Sequence, residues 1–225
     1  MSRYEVVKDY YDQNPNREWV RLEETKLEFI LTTKYLDQYI NNKSVIFDVG
    51  GGPGRYSIYL AKKGHDLYLL DLSKGNIDLA IEKSKEEKTS LKEAIVGNAI
   101  DLTRYSDNYF DVVLNLGPMY HILDEEDRKK AIKESLRVLK SGGLIVFSFI
   151  SKYSAVYYNL NFDPKSILSM KNIFMRFIQN SQHLLSDEEP VFTDAYYVEP
   201  NDLEAYMNQF AITKKAIIGA EGMVS

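Results

Sequence analysis

Apolar and polar residues follow two different periods along this chain. After a break at Asn14-Pro15-Asn16, apolar residues recur at helical spacing from Glu18 to Ile40, which predicts a long helix preceded by a shorter one over Tyr4–Tyr11. From residue 45 onward, short apolar runs take turns with amphipathic stretches. Nearly continuous apolar runs are typical of strands that are buried on both faces.

Five of these runs predict strands, and the amphipathic stretches between them predict helices. Strands that alternate with helices indicate an α/β protein with a mostly parallel sheet and right-handed crossovers. The strands are expected at Val45–Val49, Asp66–Asp71, Ala94–Val96, Phe110–Leu114 and Leu144–Phe149, and the helices at Arg55–Lys63, Asn76–Glu87 and Glu125–Leu139, with a turn at Ser141-Gly142-Gly143.

Residues 151–197 break this alternation. They are rich in aromatic residues, show only weak helical patterns such as Ile167–Ile178, and are too many for an ordinary loop. We therefore expect an inserted cap over the carboxyl edge of the sheet. A helix at Asn201–Gln209 and a sixth strand at Ile212–Ile218 are expected to follow.

The composition narrows the class of protein. With 225 residues, 44% of them hydrophobic, the chain suits one domain with a sizeable core. It has no cysteine, which excludes disulfides and thiolate chemistry and fits the cytoplasmic location that we expect. It also has neither a secretory h-region nor an apolar stretch of about 20 residues, so we expect no membrane partner.

The charged residues indicate the kind of partner. The net charge is −5 and no basic stripe is present, which disfavours nucleic acid and favours a small molecule. The three histidines lack metal-ligand spacing, so no metal is expected. The sequence does not predict the oligomeric state.

A glycine-rich turn follows the first predicted strand and precedes a helix. Glycines let the backbone bend tightly and approach a ligand, and the turn lies at the carboxyl edge, where such sheets bind ligands. A dinucleotide fingerprint, Gly-x-Gly-x-x-Gly, requires glycine where this chain has Arg55. The pattern that fits is Asp-x-Gly-x-Gly-x-Gly, over Asp48, Gly50, Gly52 and Gly54. Asp71, about 20 residues later, suits the ribose of either ligand.

Five stretches in this order resemble the motifs of the class I S-adenosylmethionine-dependent methyltransferases, of the small-molecule (type 11) kind. The resemblance runs from Val45 to Phe149 and implies a Rossmann-like, doubly wound sheet. No further strand pattern follows residue 218, so the last strand is expected to be missing, either by truncation or because this chain lacks an element of its relatives. The stretches are Val45–Tyr56, Leu70–Ser73, Gly97–Leu102, Phe110–His121 and Arg137–Gly143.

The resemblance implies S-adenosylmethionine as the methyl donor and S-adenosylhomocysteine as the product. It implies that Asp48 orients the amino group of the cofactor and that Asp71 and Leu72 contact its ribose and adenine. Asn98, in place of the usual aspartate, and Ala99 are expected beside the adenine. The remaining expected contacts are Gly50, Gly51, Gly52, Gly54, Asn115, Leu116 and Tyr11, the last from an N-terminal helix that folds over the cofactor in similar enzymes.

These expectations divide the chain into four parts. Residues 1–42 form a helical lid, 43–150 the cofactor-binding core, 151–197 the cap and substrate region, and 198–225 the final helix and strand of the core. Two other functions remain open at this point: a nicotinamide-dependent oxidoreductase, and a non-catalytic cofactor-binding protein on the same fold.

Methyl transfer is an in-line displacement, so alignment carries most of the catalysis. A general base is needed only if the acceptor must first lose a proton. His121 is the best candidate for that base, although it also suits a purely structural bond to the backbone, and Tyr120 is a candidate for contact with the substrate or the cofactor. Arg21 suits either a carboxylate of a ligand or an interhelix ion pair.

Overall fold

The protein is described by a computed structural model that covers residues 3–24, 26–183 and 193–220. It begins with three helices: α1 (Arg3–Gln13), α2 (Pro15–Glu24) and α3 (Lys26–Tyr39). Helix α2 begins three residues before the predicted Glu18, because proline's fixed φ and missing N–H suit the first turn of a helix. Residue 25 lies outside the described residues, so the continuity of the predicted long helix stays a prediction.

A five-stranded parallel sheet forms the centre of the molecule, with the strand order β3-β2-β1-β4-β5. The order reverses between β1 and β4, which makes the carboxyl end of β1 the topological switch point. The prediction of a doubly wound α/β sheet is confirmed. Its elements are β1 (Val45–Val49), α4 (Arg55–Lys62), β2 (Asp66–Asp71), α5 (Lys74–Glu86), β3 (Glu93–Val96), β4 (Phe110–Asn115), α6 (Pro118–His121), α7 (Glu125–Val138) and β5 (Leu139–Phe147).

The strands are apolar on both faces because helices cover the sheet on both sides. In β1, Phe47 and Val49 pack into one core layer and Ile46 packs into the other. The layers alternate because successive side chains of a strand point to opposite faces of the sheet. All three side chains are fully buried. This rigid layer fixes where the turn after β1 lies.

The fifth strand differs from the prediction. It begins at Leu139 rather than Leu144, and the predicted turn at residues 141–143 lies within it. Phe110 of β4 pairs with Leu139, whereas Val112 pairs with Leu144, so the intervening residues of β5 form an irregularity in the ladder. Gly142, with φ +75°, accommodates this irregularity, and a local pattern does not distinguish it from a turn between elements.

The second part of the chain forms a small three-stranded sheet, ordered β6-β8-β7, with three helices inserted into it. The predicted helix at 167–178 is two helices, and the predicted helix at 201–209 is α11. These elements are β6 (Ile150–Ser151), α8 (Ser154–Phe162), α9 (Ser166–Ser169), α10 (Lys171–Asn180), β7 (Gln182–His183), β8 (Ala195–Val198) and α11 (Pro200–Met207).

The sixth strand predicted at Ile212–Ile218 is wrong, because residues 212–219 form neither strand nor helix. Lys214 forms an ion pair with Glu204 of α11, which holds the segment beside that helix. Ile217 and Ile218 are exposed, so the apolar residues that suggested a strand are not buried. Residues 221–225 lie outside the described residues. None of the described helices is both long and apolar enough to cross a membrane.

Candidate functional site

The glycine turn lies at the carboxyl end of β1 and is built so that no side chain fits. Gly50, Gly52 and Gly54 have φ values of +68°, +57° and +80°, a region that glycine enters without strain. A Cβ on Gly51 would lie 2.4 Å from the carboxyl carbon of Asp48. The turn therefore keeps its backbone close to whatever lies above it.

The loop after β4 packs directly on this turn. A Cβ on Gly50 would lie 2.6 Å from the Pro118 ring, and a Cβ on Gly117 would lie 2.7 Å from the Gly50 carbonyl oxygen. This close approach brings α6, which carries Tyr120 and His121, beside the glycine turn. Sequence reasoning overlooked this role of Gly117, although a Gly-Pro pair after a buried strand was a signal for it.

Asp48 is a buried carboxylate beneath the turn. Its Oδ2 atom accepts a 2.7 Å hydrogen bond from the Ser57 hydroxyl, and its Oδ1 atom has no hydrogen-bond partner among the described residues. Burial raises the pKa of Asp48 to about 7, against the lowering effect of the Ser57 bond. A buried acceptor of this kind suits a cationic donor.

Asp71, at the end of β2, supports the turn from the other side. Its Oδ2 atom accepts from the Gly52 backbone N–H at 2.8 Å. Its Oδ1 atom accepts from the Ser73 N–H and the Asn76 amide at 2.9 and 3.1 Å. Burial raises the pKa of Asp71, and these three bonds oppose that rise. A carboxylate has about four lone-pair sites, so ribose hydroxyls can add to or replace these donors.

The residues expected beside the adenine follow the carboxyl ends of β2 and β3, which are neighbours in the sheet. The Gly97 N–H donates to the Asp71 carbonyl oxygen at 2.9 Å, so the two strand ends that lead into Leu72 and Asn98 are joined directly. The Asn98 Oδ1 atom accepts from the Ile100 N–H at 3.2 Å within its own turn, and Ala99 is buried.

Asn115 ends β4 on the opposite side of the turn and is fully buried. Its amide donates to the Ser135 hydroxyl at 3.2 Å, and its Oδ1 atom is a second buried acceptor without a partner among the described residues. Leu116, which follows it, is half-buried against the other core layer. Asp48 and Asn115 thus give this edge of the sheet two unused buried acceptors.

Helix α1 lies over the site and contacts His121. The Tyr11 hydroxyl and the His121 Nε2 atom are 2.8 Å apart, and His121 Nδ1 is 3.1 Å from the Asp194 carbonyl oxygen. Because a carbonyl only accepts, Nδ1 carries the proton and Nε2 accepts from Tyr11. Burial lowers the pKa of His121 to about 4, so the ring is neutral at pH 7. Burial also raises the pKa of the neighbouring Tyr120.

Further bonds fasten α1 in this position. Asp12 accepts from the Ser73 hydroxyl and the Gly75 N–H, at 2.6 and 3.0 Å, at the start of α5. Tyr4 donates to Asp127 of α7 at 2.6 Å. A third bond joins Arg3 to Asp194 at 3.0 Å. These contacts join residues far apart in sequence, so no local pattern predicts them.

A small cavity lies between α1 and α2. Its volume of about 130 Å³ is smaller than the roughly 300–1,000 Å³ of typical ligand pockets. Glu18 of α2 lies close to Gly52, 3.8 Å from the position of a Cβ on that glycine. The cavity is lined by Tyr10, Tyr11, Asn14, Arg17, Glu18 and Arg21.

Two arginines near the turn have structural partners. Arg21 forms ion pairs with Glu18 and with Glu28 of α3, at 2.7 and 2.5 Å, so it makes the interhelix ion pair that was one of the two expected roles. Arg55 lies over the Trp19 ring, with its guanidinium carbon 4.5 Å from the centroid. A side chain thus fills the place where a dinucleotide fingerprint needs glycine.

A larger cavity, of about 330 Å³, opens at the opposite edge of the sheet, between Ser44, Asp111 and Gly142. Ligands of doubly wound sheets bind at the carboxyl ends of the strands, so we assign the functional site to the glycine turn. Among the described residues, no group of three or more histidines, cysteines, aspartates or glutamates is arranged to hold a metal ion.

The strand order and the glycine turn define a Rossmann-like cofactor-binding protein, and comparison with known proteins shows which proteins it resembles. Residues 47–147 match the family described as "Methyltransferase domain". Together with the relatives and solved structures to which it is similar, this match supports a class I S-adenosylmethionine-dependent methyltransferase. Its fold is similar to a structure titled as a SAM-dependent methyltransferase from Methanosarcina mazei, with 25% identity, a TM-score of 0.60 and coverage of 78% of this chain and 82% of that one.

Curated relatives act on different kinds of molecule. A sarcosine/dimethylglycine N-methyltransferase of Halorhodospira halochloris is 30% identical over 114 residues, which are 50% of this chain and 40% of that protein. A ubiquinone biosynthesis O-methyltransferase of Coxiella burnetii is 30% identical over 125 residues, 55% of this chain and 51% of that protein. The chain spans between 38% and 58% of the length of the first curated relatives that it matches.

Proposed function

We propose that this protein transfers the methyl group of S-adenosylmethionine to a small organic acceptor and releases S-adenosylhomocysteine. The observation that carries the proposal is the close packing of Gly50 against Gly117 and Pro118, because it joins the cofactor turn to the helix that carries Tyr120 and His121. A donor on the turn and an acceptor beside α6 would then be neighbours, as an in-line displacement requires.

The donor side of the site would hold the cofactor by charge and hydrogen bonds. The free Oδ1 atom of Asp48 would accept from the ammonium group of the methionine part, and Asp71 would accept from the ribose hydroxyls. Leu72, Asn98 and Ala99 would line the adenine. The bound cofactor supplies an already activated methyl group, so the chain's own task is to align the two partners and exclude water.

On the acceptor side, Tyr11, Tyr120 and His121 surround the place of transfer. With α1 closed, the His121 Nε2 atom is engaged by Tyr11 and the imidazole is a weak base, because burial lowers its pKa to about 4. Opening of α1 would hydrate the ring and return its pKa toward neutrality, where it can remove a proton from an acceptor. His121 thus serves either as an anchor for α1 or as the base.

We propose a small-molecule acceptor and a cytoplasmic location. The net charge of −5 and the lack of a basic stripe favour a small molecule, although one relative from Arabidopsis thaliana is named as a tRNA methyltransferase. The absence of cysteine from the sequence supports the cytoplasm.

The test has two stages. Thermal shift assays should show that S-adenosylmethionine and S-adenosylhomocysteine raise the Tm and that NAD does not; stabilisation by NAD alone would contradict the proposal. Release of S-adenosylhomocysteine is then measured with panels of amines, phenols and carboxylic acids. His121→Gln should lower kcat at least tenfold and change the Kd of the cofactor less than threefold. Cofactor binding without turnover on any panel would favour a non-catalytic protein.

A further inference from the structure

The outer side of the helices α8–α10 exposes large apolar residues. Leu168 is 83% exposed and Leu160 is 56% exposed, values that are unusual for leucine in a folded domain. Helix α9 contacts both α8 and α10, so the exposed residues belong to neighbouring elements. We call this set the apolar cap face: Tyr153, Tyr157, Leu160, Leu168 and Met175.

The apolar cap face follows helical periodicity. Tyr157 and Leu160 are spaced i and i+3 and share one side of α8, and Tyr153 lies directly before the helix, four residues ahead of Tyr157. On α10, Lys171 and Met175 are spaced i and i+4 and share a side in the same way. Clustered exposure of this kind marks an interaction surface, whereas single exposed apolar residues are ordinary.

The charges around this face differ in sign from the rest of the chain. Between residues 153 and 180 the sequence has three basic residues and one acidic residue, Asp163, whereas the chain as a whole carries −5. Lys165 and Lys171 are exposed, and neither has an ion pair within the described part of the chain. A basic, tyrosine-rich surface with protruding leucines is the composition of helices that lie in a membrane interface.

We propose that the apolar cap face docks on the surface of an anionic lipid bilayer. Leu160, Leu168 and Met175 enter the boundary between headgroups and acyl chains, where tyrosine rings are favoured because they combine an apolar body with a polar tip. Lys165 and Lys171 attract the anionic headgroups. This attachment is peripheral, does not depend on the proposed methyl transfer, and differs from our sequence expectation because the sequence does not reveal which apolar residues are exposed.

The charge decides between a bilayer and a second copy of the chain. In a symmetric dimer through this face, Lys165 and Lys171 of one copy would approach the same basic surface of the other copy, with Asp163 as the one acidic partner between residues 153 and 180. An anionic bilayer meets both lysines with opposite charge, although it repels Asp163, and it accepts a curved, uneven apolar surface. Electrostatic complementarity therefore favours the lipid.

The experiment is sedimentation of the full chain with vesicles of phosphatidylglycerol and phosphatidylcholine, and with vesicles of phosphatidylcholine alone. We expect binding to the anionic vesicles, weakened by salt and at least tenfold weaker on the neutral ones. Leu168→Glu should reduce binding at least tenfold, and Lys171→Gln about fivefold. Ile30→Glu is the matched control, because Ile30 is 56% exposed but lies on α3, and it should leave binding unchanged.

Three results would overturn the proposal. One is no binding to the anionic vesicles by a folded wild-type chain, as judged by circular dichroism. Another is an equal loss in Leu168→Glu and Ile30→Glu, which would indicate nonspecific adsorption. The third is a dimer in light scattering that Leu168→Glu dissociates, because a second copy would then cover the face.

Discussion

The substitution Asp48→Asn separates the stability of the empty protein from its affinity for the cofactor. Burial holds the pKa of Asp48 at about 7 in the folded chain, above the ordinary value of 3.8. Because the folded state binds this proton more tightly than the unfolded state, the contribution of Asp48 to stability is fully present below pH 3.8. It is lost as the pH rises through 7.

The pKa difference sets the magnitude. A shift from 3.8 to about 7 corresponds to at most about 4 kcal/mol, of which roughly 2–3 kcal/mol should be lost between pH 5 and 8. The asparagine of the variant cannot ionise, and its carbonyl can still accept from Ser57. The variant should therefore be more stable than the wild type at pH 8, and this advantage should shrink toward pH 5.

Urea unfolding of both proteins at pH 5, 6, 7 and 8 measures this difference in stability. The titration of His121 and of the other groups that both proteins share contributes equally to the two and cancels in the difference.

The affinity of the variant for the cofactor should change in the opposite direction, because loss of a charge-assisted hydrogen bond of about 1.5–3 kcal/mol weakens binding roughly 10- to 150-fold. Asp111→Asn is the control: Lys140 lowers the pKa of Asp111, which lies at the amino edge, so affinity should not change. Parallel pH profiles for wild type and Asp48→Asn would refute the reasoning.

Two further substitutions test the contacts of the site. Tyr11→Phe removes the donor to the His121 Nε2 atom, which costs about 1–3 kcal/mol, so hydrogen exchange of the α1 amides should accelerate roughly 5- to 150-fold. Tyr39→Phe on α3 should not accelerate it, and equal acceleration in both variants would contradict the role of the Tyr11–His121 hydrogen bond in holding α1. Gly117→Ala places a methyl group 2.7 Å from the Gly50 carbonyl oxygen, so urea unfolding should show a loss of about 1–3 kcal/mol; an unchanged midpoint would mean that the loop and the turn are not in close contact.

The sheet was predictable because its signals are local. The strands Val45–Val49 and Asp66–Asp71 have the predicted bounds, since a short, mostly apolar run with an aspartate at or near its end is visible without knowledge of neighbours. The prediction of a sixth strand was wrong because a local signal can also mislead. The apolar residues at 212–218 satisfy a local pattern, and only the tertiary contact of Lys214 with Glu204 shows that the segment stays beside α11.

Only the part of the site that is expected to bind the methyl donor was predictable from the sequence. The glycine spacing follows from backbone geometry, and the structure gives Gly50, Gly52 and Gly54 the positive φ values that this spacing implies. The closure of the site was not predictable, because Tyr11 and His121 meet across 110 residues of sequence. The roles of these side chains in binding and transfer stay predictions.

The most direct test of the central claim is isothermal titration of S-adenosylhomocysteine into the wild type, Gly52→Ala and Gly142→Ala. Both glycines have positive φ, +57° and +75°, and a Cβ on either meets no atom closer than 3.8 Å, so both variants should lose similar stability. We predict that Gly52→Ala weakens binding at least tenfold and that Gly142→Ala binds like the wild type. Equal affinity in all three proteins, or no binding to the wild type, would contradict the assignment of the glycine turn as the methyl-donor site.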